Sequence, residues 1–492
     1  MGGCNAPAAT SVHPALALTR QQGTKRGASG SKGIDCEAAM TKKLFLSLLL
    51  ITAISASGGV LANDGEDAVD AAEQMVDLFF LPGNRVNAGF KRVSASWQPG
   101  HTPMAIEMLS LARGSMAFRL NQLLKEKTGQ DFGLDSNAWF VWWWQQEAVV
   151  DEAYARFKSK LYGLIDPRFS TYFGDDRGSS IRLDEVRWGG VRQDGIPPLR
   201  EPTMIAAADA DYLDDNNIVF GIKLNGDARA YPRRILAWHE MFIDEIGGTE
   251  YAGVYCTLCG AVILYETHYE GRRHRLGTSG FLYRSNKLMY DQDTQSLWNT
   301  TWGEPVIGPL LGQGIRLQRS YLVTTTWGEW KRRHPDTSVL SLDTGHQRDY
   351  GEGVAYNAYF ATDELMFSIS TSDDRLNNKD EVLALIFPDH SDQSMAIAAE
   401  YLQSNPVYHN ALGNLDFVVL TDSTGANRVY QTDGVMIVDY DRESTAIDDK
   451  GRPWQLSEDG LRSDNHRLAR LPAHRAFWFG WHAAYPETRL IR

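Results

Sequence analysis

Apolar residues recur at spacings of three and four from Ala68 to Phe80 and again from Met104 to Lys127, a pattern that predicts amphipathic helices. Thr102 and Pro103 suit a helix start, and Gly129 suits a stop. A further helix is predicted from Trp139-Phe140-Val141-Trp142-Trp143-Trp144 to about Lys160. Its tryptophans cover more than one face, so it is expected to lie buried on several sides between neighbours. The competing reading of that face is a contact with a membrane surface or a ligand.

From residue 166 to 200 the chain is richer in Gly, Pro, Asp and Arg, and a domain boundary is expected near residue 185. Beyond residue 200 the period shortens to that of strands. Ile218–Leu224, Tyr251–Tyr255, Ala261–Tyr265 and Lys287–Tyr290 are β-branched or aromatic runs between turns. Asn225-Gly226, set between two such runs, predicts a two-residue hairpin.

This region also resembles itself. Trp327, Trp330 and Pro335-Asp336-Thr337 return as Trp478, Trp481 and Pro486-Glu487-Thr488. Asp244–Gly248 and the strand after it correspond to Asn410–Asn414 and Phe417–Leu420, and Tyr290-Asp291 and Trp298 to Tyr440-Asp441 and Trp454. The expectation is two diverged copies of one unit. In that alignment Cys256 faces Asp422, Cys259 faces Gly425 and His239 faces Asn405. These three potential soft ligands or proton carriers thus stand in the first copy and are missing from the second.

The chain has 492 residues and a formal net charge of −13, with no basic block to offset it. Nucleic acid is therefore not an expected partner. Lys42 and Lys43 precede an apolar run from Leu44 to Ile54, and Val60-Leu61-Ala62 then offers a small-residue cleavage site. These features predict a secretory signal over residues 40–62, too short to be a spanning helix. Residues 1–39 read as an upstream extension without structure. After cleavage the protein is expected in the periplasm or secreted, not integral to a membrane. Of four cysteines, Cys4 and Cys36 leave with the signal and Cys256 and Cys259 stay.

In Tyr255-Cys256-Thr257-Leu258-Cys259-Gly260, two sulfurs three residues apart can share one metal across a tight turn. The following Ala261–Tyr265 reads as a strand, unlike the helix that follows a thioredoxin-type pair. A metal site, a disulfide or redox couple, and inert thiols all remain open. His239 is the nearest further candidate, as a ligand or a base, with Glu240 orienting it from behind. Zinc or copper would suit thiolate plus imidazole. His239 could equally pack beside Trp238 with its nitrogens bonded to backbone. Gly277-Thr278-Ser279-Gly280, with Tyr283 and Asn286, could line a pocket, or form an ordinary hairpin loop.

Ala230-Tyr231-Pro232, Trp238-His239-Glu240, Gly247-Gly248, Tyr255-Cys256-x-x-Cys259-Gly260, Gly277–Gly280, Tyr290-Asp291, Ser296-Leu297-Trp298 and Trp327-Gly328-Glu329-Trp330 together resemble the bacterial domain of unknown function 3179 family. The resemblance covers about residues 195–492. It departs at Thr257, where the family often has Pro between the cysteines. It supports the domain and the Cys-x-x-Cys site and implies no activity.

The expected architecture is α+β: an N-terminal all-α domain over 63–185, then a duplicated, strand-rich, mainly antiparallel α+β unit. Copy one spans 186–345 and copy two 346–492. The expected function is an exported protein with a metal-binding Cys256/Cys259 site. The alternatives are a thiol–disulfide oxidoreductase, and a non-catalytic module docking an envelope protein or polymer through the helical domain.

Overall fold

The computed structural model describes residues 71–146, 152–174, 176–387 and 393–492. The expected extension, signal and first residues of the first helix lie outside them. Among the described residues six helices come first: α1 (Ala71–Asp77), α2 (Gly83–Ala95), α3 (His101–Leu111), α4 (Gly114–Thr128), α5 (Ser136–Trp144) and α6 (Glu152–Gly163). Helix α4 stops where Gly129 takes a left-handed conformation and returns its N–H to Lys125 O. The run from Met104 to Lys127 is two helices, parted at Ala112-Arg113, with Gly114 at φ +57°. Asp135 caps α5 by accepting from the N–H groups of Asn137 and Ala138.

The tryptophans of α5 face inward. Trp139, Trp143 and Trp144 are buried, and Trp142 is partly so. Trp143 Nε1 donates to Asp184 Oδ2 (2.8 Å) and Trp144 Nε1 to Asp184 O (3.3 Å). One apolar core runs from these helices into the sheets, joining Phe140 and Tyr162 to Phe281 and Leu288.

The remainder is strand-rich and mostly antiparallel. In chain order its first strands are β1 (Val186–Trp188), β2 (Leu199–Arg200), β3 (Met204–Ala206), β4 (Ile218–Leu224) and β5 (Asp227–Pro232). Helix α7 (Arg233–His239) leads to β6 (Met241–Ile246), β7 (Thr249–Cys256) and β8 (Ala261–Glu266). After the short pair β9 (His268–Tyr269) and β10 (Arg272–Arg273) come β11 (Leu276–Tyr283), β12 (Asn286–Asp291), β13 (Leu297–Asn299), β14 (Glu304–Ile307), β15 (Arg319–Ser320) and β16 (Val323–Thr326). Helix α8 (Trp327–Arg333), β17 (Ser338–Leu340) and the short α9 (Asn357–Phe360) follow. The turn between β4 and β5 has Asn225 at φ +50° and Gly226 at φ +87°, the two positive values that a tight hairpin requires.

The last part holds β18 (Glu381–Leu385), β19 (Met395–Ala398), α10 (Ala399–Ser404), β20 (Val407–Leu412), β21 (Leu415–Thr421) and β22 (Asn427–Gln431). A further meander runs through β23 (Ile437–Tyr440), β24 (Thr445–Asp448), β25 (Pro453–Leu456), β26 (Gly460–Ser463) and β27 (His466–Leu471). The chain closes with β28 (His474–Phe477), α11 (Trp478–Ala484) and β29 (Arg489–Ile491).

Two of the sheets share one plan. The order β16-β4-β5-β17 has the same directions as β28-β18-β19-β29, with only the last pair parallel in each. An antiparallel meander, β6-β7-β8 or β20-β21-β22, follows in both. Trp330 Nε1 donates to Thr337 Oγ1 at 2.9 Å, and Trp481 Nε1 donates to Thr488 Oγ1 at 2.9 Å. Among the described residues, no helix is long and apolar enough to cross a membrane.

Candidate functional site

Strands β7 and β8 form a hairpin in which Cys256 stands opposite Ala261. Across its turn, Cys259 N–H donates to Cys256 O (3.1 Å) and Gly260 N–H to Thr257 O (3.3 Å). Gly260 sits at φ +58°, a conformation costly for any residue with a Cβ. Both cysteines are free thiols and both are buried.

Four parts of the chain close over the pair. Cys259 Sγ lies 3.5 Å from Ser285 O, in the turn joining β11 to β12. Phe477 N–H donates to Cys259 O (2.7 Å), and Gly480 of α11 lies against the Cys259 side chain. Tyr359 Oη donates to Leu258 O (2.9 Å). The fourth is the end of α7, which brings Glu240.

Lys287 is the charged group that the sequence did not single out. It lies within β12, and all six residues of that strand are buried. Its ammonium donates to Glu240 O (3.0 Å) and lies 3.4 Å from Glu240 Oε2. Its backbone N–H favours ionisation of both sulfurs. The legible signal was a lysine inside the strand run Lys287–Tyr290. Burial lowers the Lys287 pKa, and the nearby Glu240 and Cys256 offset this only in part.

The two thiols are driven apart in acidity. Burial and the nearby Glu240 carboxylate oppose ionisation of Cys256, but hydrogen bonding from the Cys259 thiol and from the Lys287 and Cys259 N–H groups brings its pKa below the ordinary value. Burial, together with the charge on its partner, raises Cys259 well above it. Cys256 is therefore the sulfur built to be the thiolate, and Cys259 the one that keeps its proton.

His239 and Glu240 point to different places. Glu240, at φ +55°, ends α7 in a left-handed conformation. Its carboxylate turns to Lys287, while the His239 ring donates from Nδ1 to Pro197 O (2.8 Å) and accepts at Nε2 from Tyr350 Oη (2.6 Å). Both ring nitrogens are thus engaged away from the sulfurs. Burial takes the His239 pKa down to about 4, helped by the nearby His346 and Arg348. Among the described residues, no three His, Cys, Asp or Glu side chains gather as a metal would need them.

The other candidate residues are spread through the sheet. Gly277–Gly280 lies within β11, which carries a bulge between Thr278 and Leu282. Thr278 Oγ1 donates to Ile196 O (2.7 Å), and Ser279 Oγ to Leu288 O (2.6 Å). Tyr283 is buried against Trp302. Asn286 alone approaches the thiol pair, since its Nδ2 donates to Gly480 O (3.0 Å) and so holds α11 in place.

Architecture and site together define a strand-rich α+β protein whose dithiol turn is enclosed by its own fold. A family model described as a protein of unknown function (DUF3179) matches residues 193–488, and the chain belongs to that family. The match agrees with the resemblance read between Ala230 and Trp330. No curated protein and no solved structure matches the chain.

Proposed function

We propose that the protein is an exported thiol–disulfide redox protein, with Cys256 as the reactive thiolate and Cys259 as its partner. The observation that carries this reading is the buried group around Cys256. Two free thiols share one turn, and hydrogen bonding from the Cys259 thiol and from the Lys287 and Cys259 N–H groups favours the Cys256 thiolate. One thiol favoured as thiolate beside one that keeps its proton suits an attacking sulfur and its partner better than two equivalent ligands of zinc or copper.

We also read residues 186–345 and 346–492 as copies of one unit. The shared strand order and the paired Trp–Thr hydrogen bonds support this. Each half lends its last helix to the other. Helix α11 lies on the Cys256–Cys259 turn, and α8 lies against the turn Asp422–Ala426. At that second turn an ion cluster of Asp422, Arg428, Glu329 and Arg333 stands where the first has sulfur. In this reading copy one carries the chemistry and copy two completes its enclosure. The Leu44–Ile54 apolar run supports export.

The test is equilibration of the full chain to constancy in thiol–disulfide buffers, followed by trapping, thiol counting and metal analysis. The two thiols are expected to be lost and regained together, with a midpoint above the roughly −300 mV of inert structural disulfides, and C256S abolishes the transition. A pair that never changes state, or reduced protein that retains stoichiometric zinc or copper, overturns the reading.

A further inference from the structure

Both sulfurs are enclosed, with Cys256 3% and Cys259 0% exposed. Attack on a protein disulfide would require another polypeptide to reach Cys256 in line with its own S–S bond. That approach is blocked by α11, whose Gly480 touches Cys259, and by the segment that pins Tyr359 to Leu258. Displacing either exposes the core that holds Ile369, Val382 and Trp478 beside the cysteines. A two-heavy-atom oxidant makes no such demand.

A second observation points to a polar visitor. Thr257, the residue directly after Cys256, is wholly buried, and its Oγ1 has no hydrogen-bond partner. A buried hydroxyl left unpaired costs stability, so its presence needs a reason. A hydroxyl can donate to one oxygen of a peroxide or accept from the other.

We propose that the oxidant of this pair is a hydroperoxide of the size of hydrogen peroxide, received by Cys256 and by the Thr257 hydroxyl. The proposal rests on the redox reading of the same two sulfurs and adds to it the substrate class. Cys256 loses its proton and the thiolate attacks one peroxide oxygen. The S–O bond forms, the O–O bond breaks, and the leaving hydroxide takes up the released proton as water. The Cys259 sulfur then attacks the Cys256 sulfenic acid. The S–S bond forms, and the hydroxyl leaves with the Cys259 proton as a second water. Two thiols and one peroxide thus give one disulfide and two waters, a two-electron oxidation.

The experiment mixes the reduced full chain with hydrogen peroxide or with glutathione disulfide at equal concentration and follows thiol count and mass. Peroxide is expected to close the pair, with the loss of two hydrogens, about tenfold faster than glutathione disulfide does. Loss of a hydrogen bond to the reacting oxygen in T257V slows the peroxide reaction about tenfold and leaves the glutathione rate unchanged, while T257S restores it. In C259S the sulfenic acid persists and is trapped by a 1,3-dione. Glutathione disulfide matching or outpacing peroxide overturns the proposal, as does T257V slowing both oxidants equally, and either result leaves the redox couple itself standing. A pair inert to both oxidants and to the equilibration above removes the redox reading with it.

Discussion

His239 shows how one residue's environment decides its chemistry. The unfolded chain holds it near its ordinary value of 6.5, and the fold lowers this to about 4, chiefly through burial. A depressed value means the folded state refuses a proton that the unfolded state accepts. The stabilisation is therefore complete above pH 6.5 and is lost as the pH falls towards 4. Urea denaturation of H239Q, compared with the parent across that window, is expected to show a shallower loss of stability on the acid side. Equal slopes would mean that His239 is not the group responsible. Cys256 and Cys259 were legible by their spacing, whereas Glu240 was expected to orient His239 and its carboxylate turns to Lys287 instead. Lys287 was not legible in that way, because a sheet register brings it to Glu240 from 47 positions away. Nor was the direction of His239, which depends on the left-handed turn at Glu240.

Helix α11 is the element on which the dithiol turn depends. A Cβ at Gly480 would stand 2.9 Å from Cys259 Cβ and 3.4 Å from its sulfur. Overpacking of that kind costs about 1–3 kcal/mol, against roughly 1 kcal/mol gained when Ala replaces a helical Gly. G480A is accordingly expected to lower stability by up to about 2 kcal/mol and to speed labelling of the native thiols, measured by thermal melting and by thiol titration. Elements with a clean period were readable in advance. The Asn225-Gly226 hairpin, the strand at Ile218–Leu224 and the stop at Gly129 rest on local backbone preference. Helix α2 was not singled out within the region expected to be helical, because only Val86, Phe90 and Val93 mark its apolar face. Gly277–Gly280 suggested a loop or a pocket, yet it forms a strand because β12 and the Ile196 carbonyl satisfy its hydroxyls.

At the scale of the molecule the two halves are joined by charge as well as by apolar packing. Arg428, fully buried, meets Asp422 at 2.9 Å and Glu458 at 2.8 Å, and reaches Glu329 of the first half at 3.5 Å. Burial alone would raise the pKa values of Asp422 and Glu458, but the Arg428 guanidinium, with Thr424 and the Ala426 N–H at Asp422 and with His334 and Arg470 at Glu458, more than reverses this and holds both below the ordinary carboxylate range. R428M leaves these carboxylates buried without their main partner. It is expected to cost about 3–5 kcal/mol near neutral pH, read as a shift in the denaturation midpoint. Depressed carboxylate values contribute stability above about pH 4, and the contribution disappears as they take up protons below it. The deficit of R428M should shrink accordingly in acid, and a deficit independent of pH would refute this account. The amino-acid sequence by itself determined the element types, the family, and the two sulfurs set three residues apart, because those follow from backbone preference and local spacing. Only the tertiary structure decided that the sulfurs are enclosed by α11, that Lys287 pairs with Glu240 and that the His239 ring is bonded to Pro197 and Tyr350 instead, because each depends on contacts between strands and helices distant along the chain.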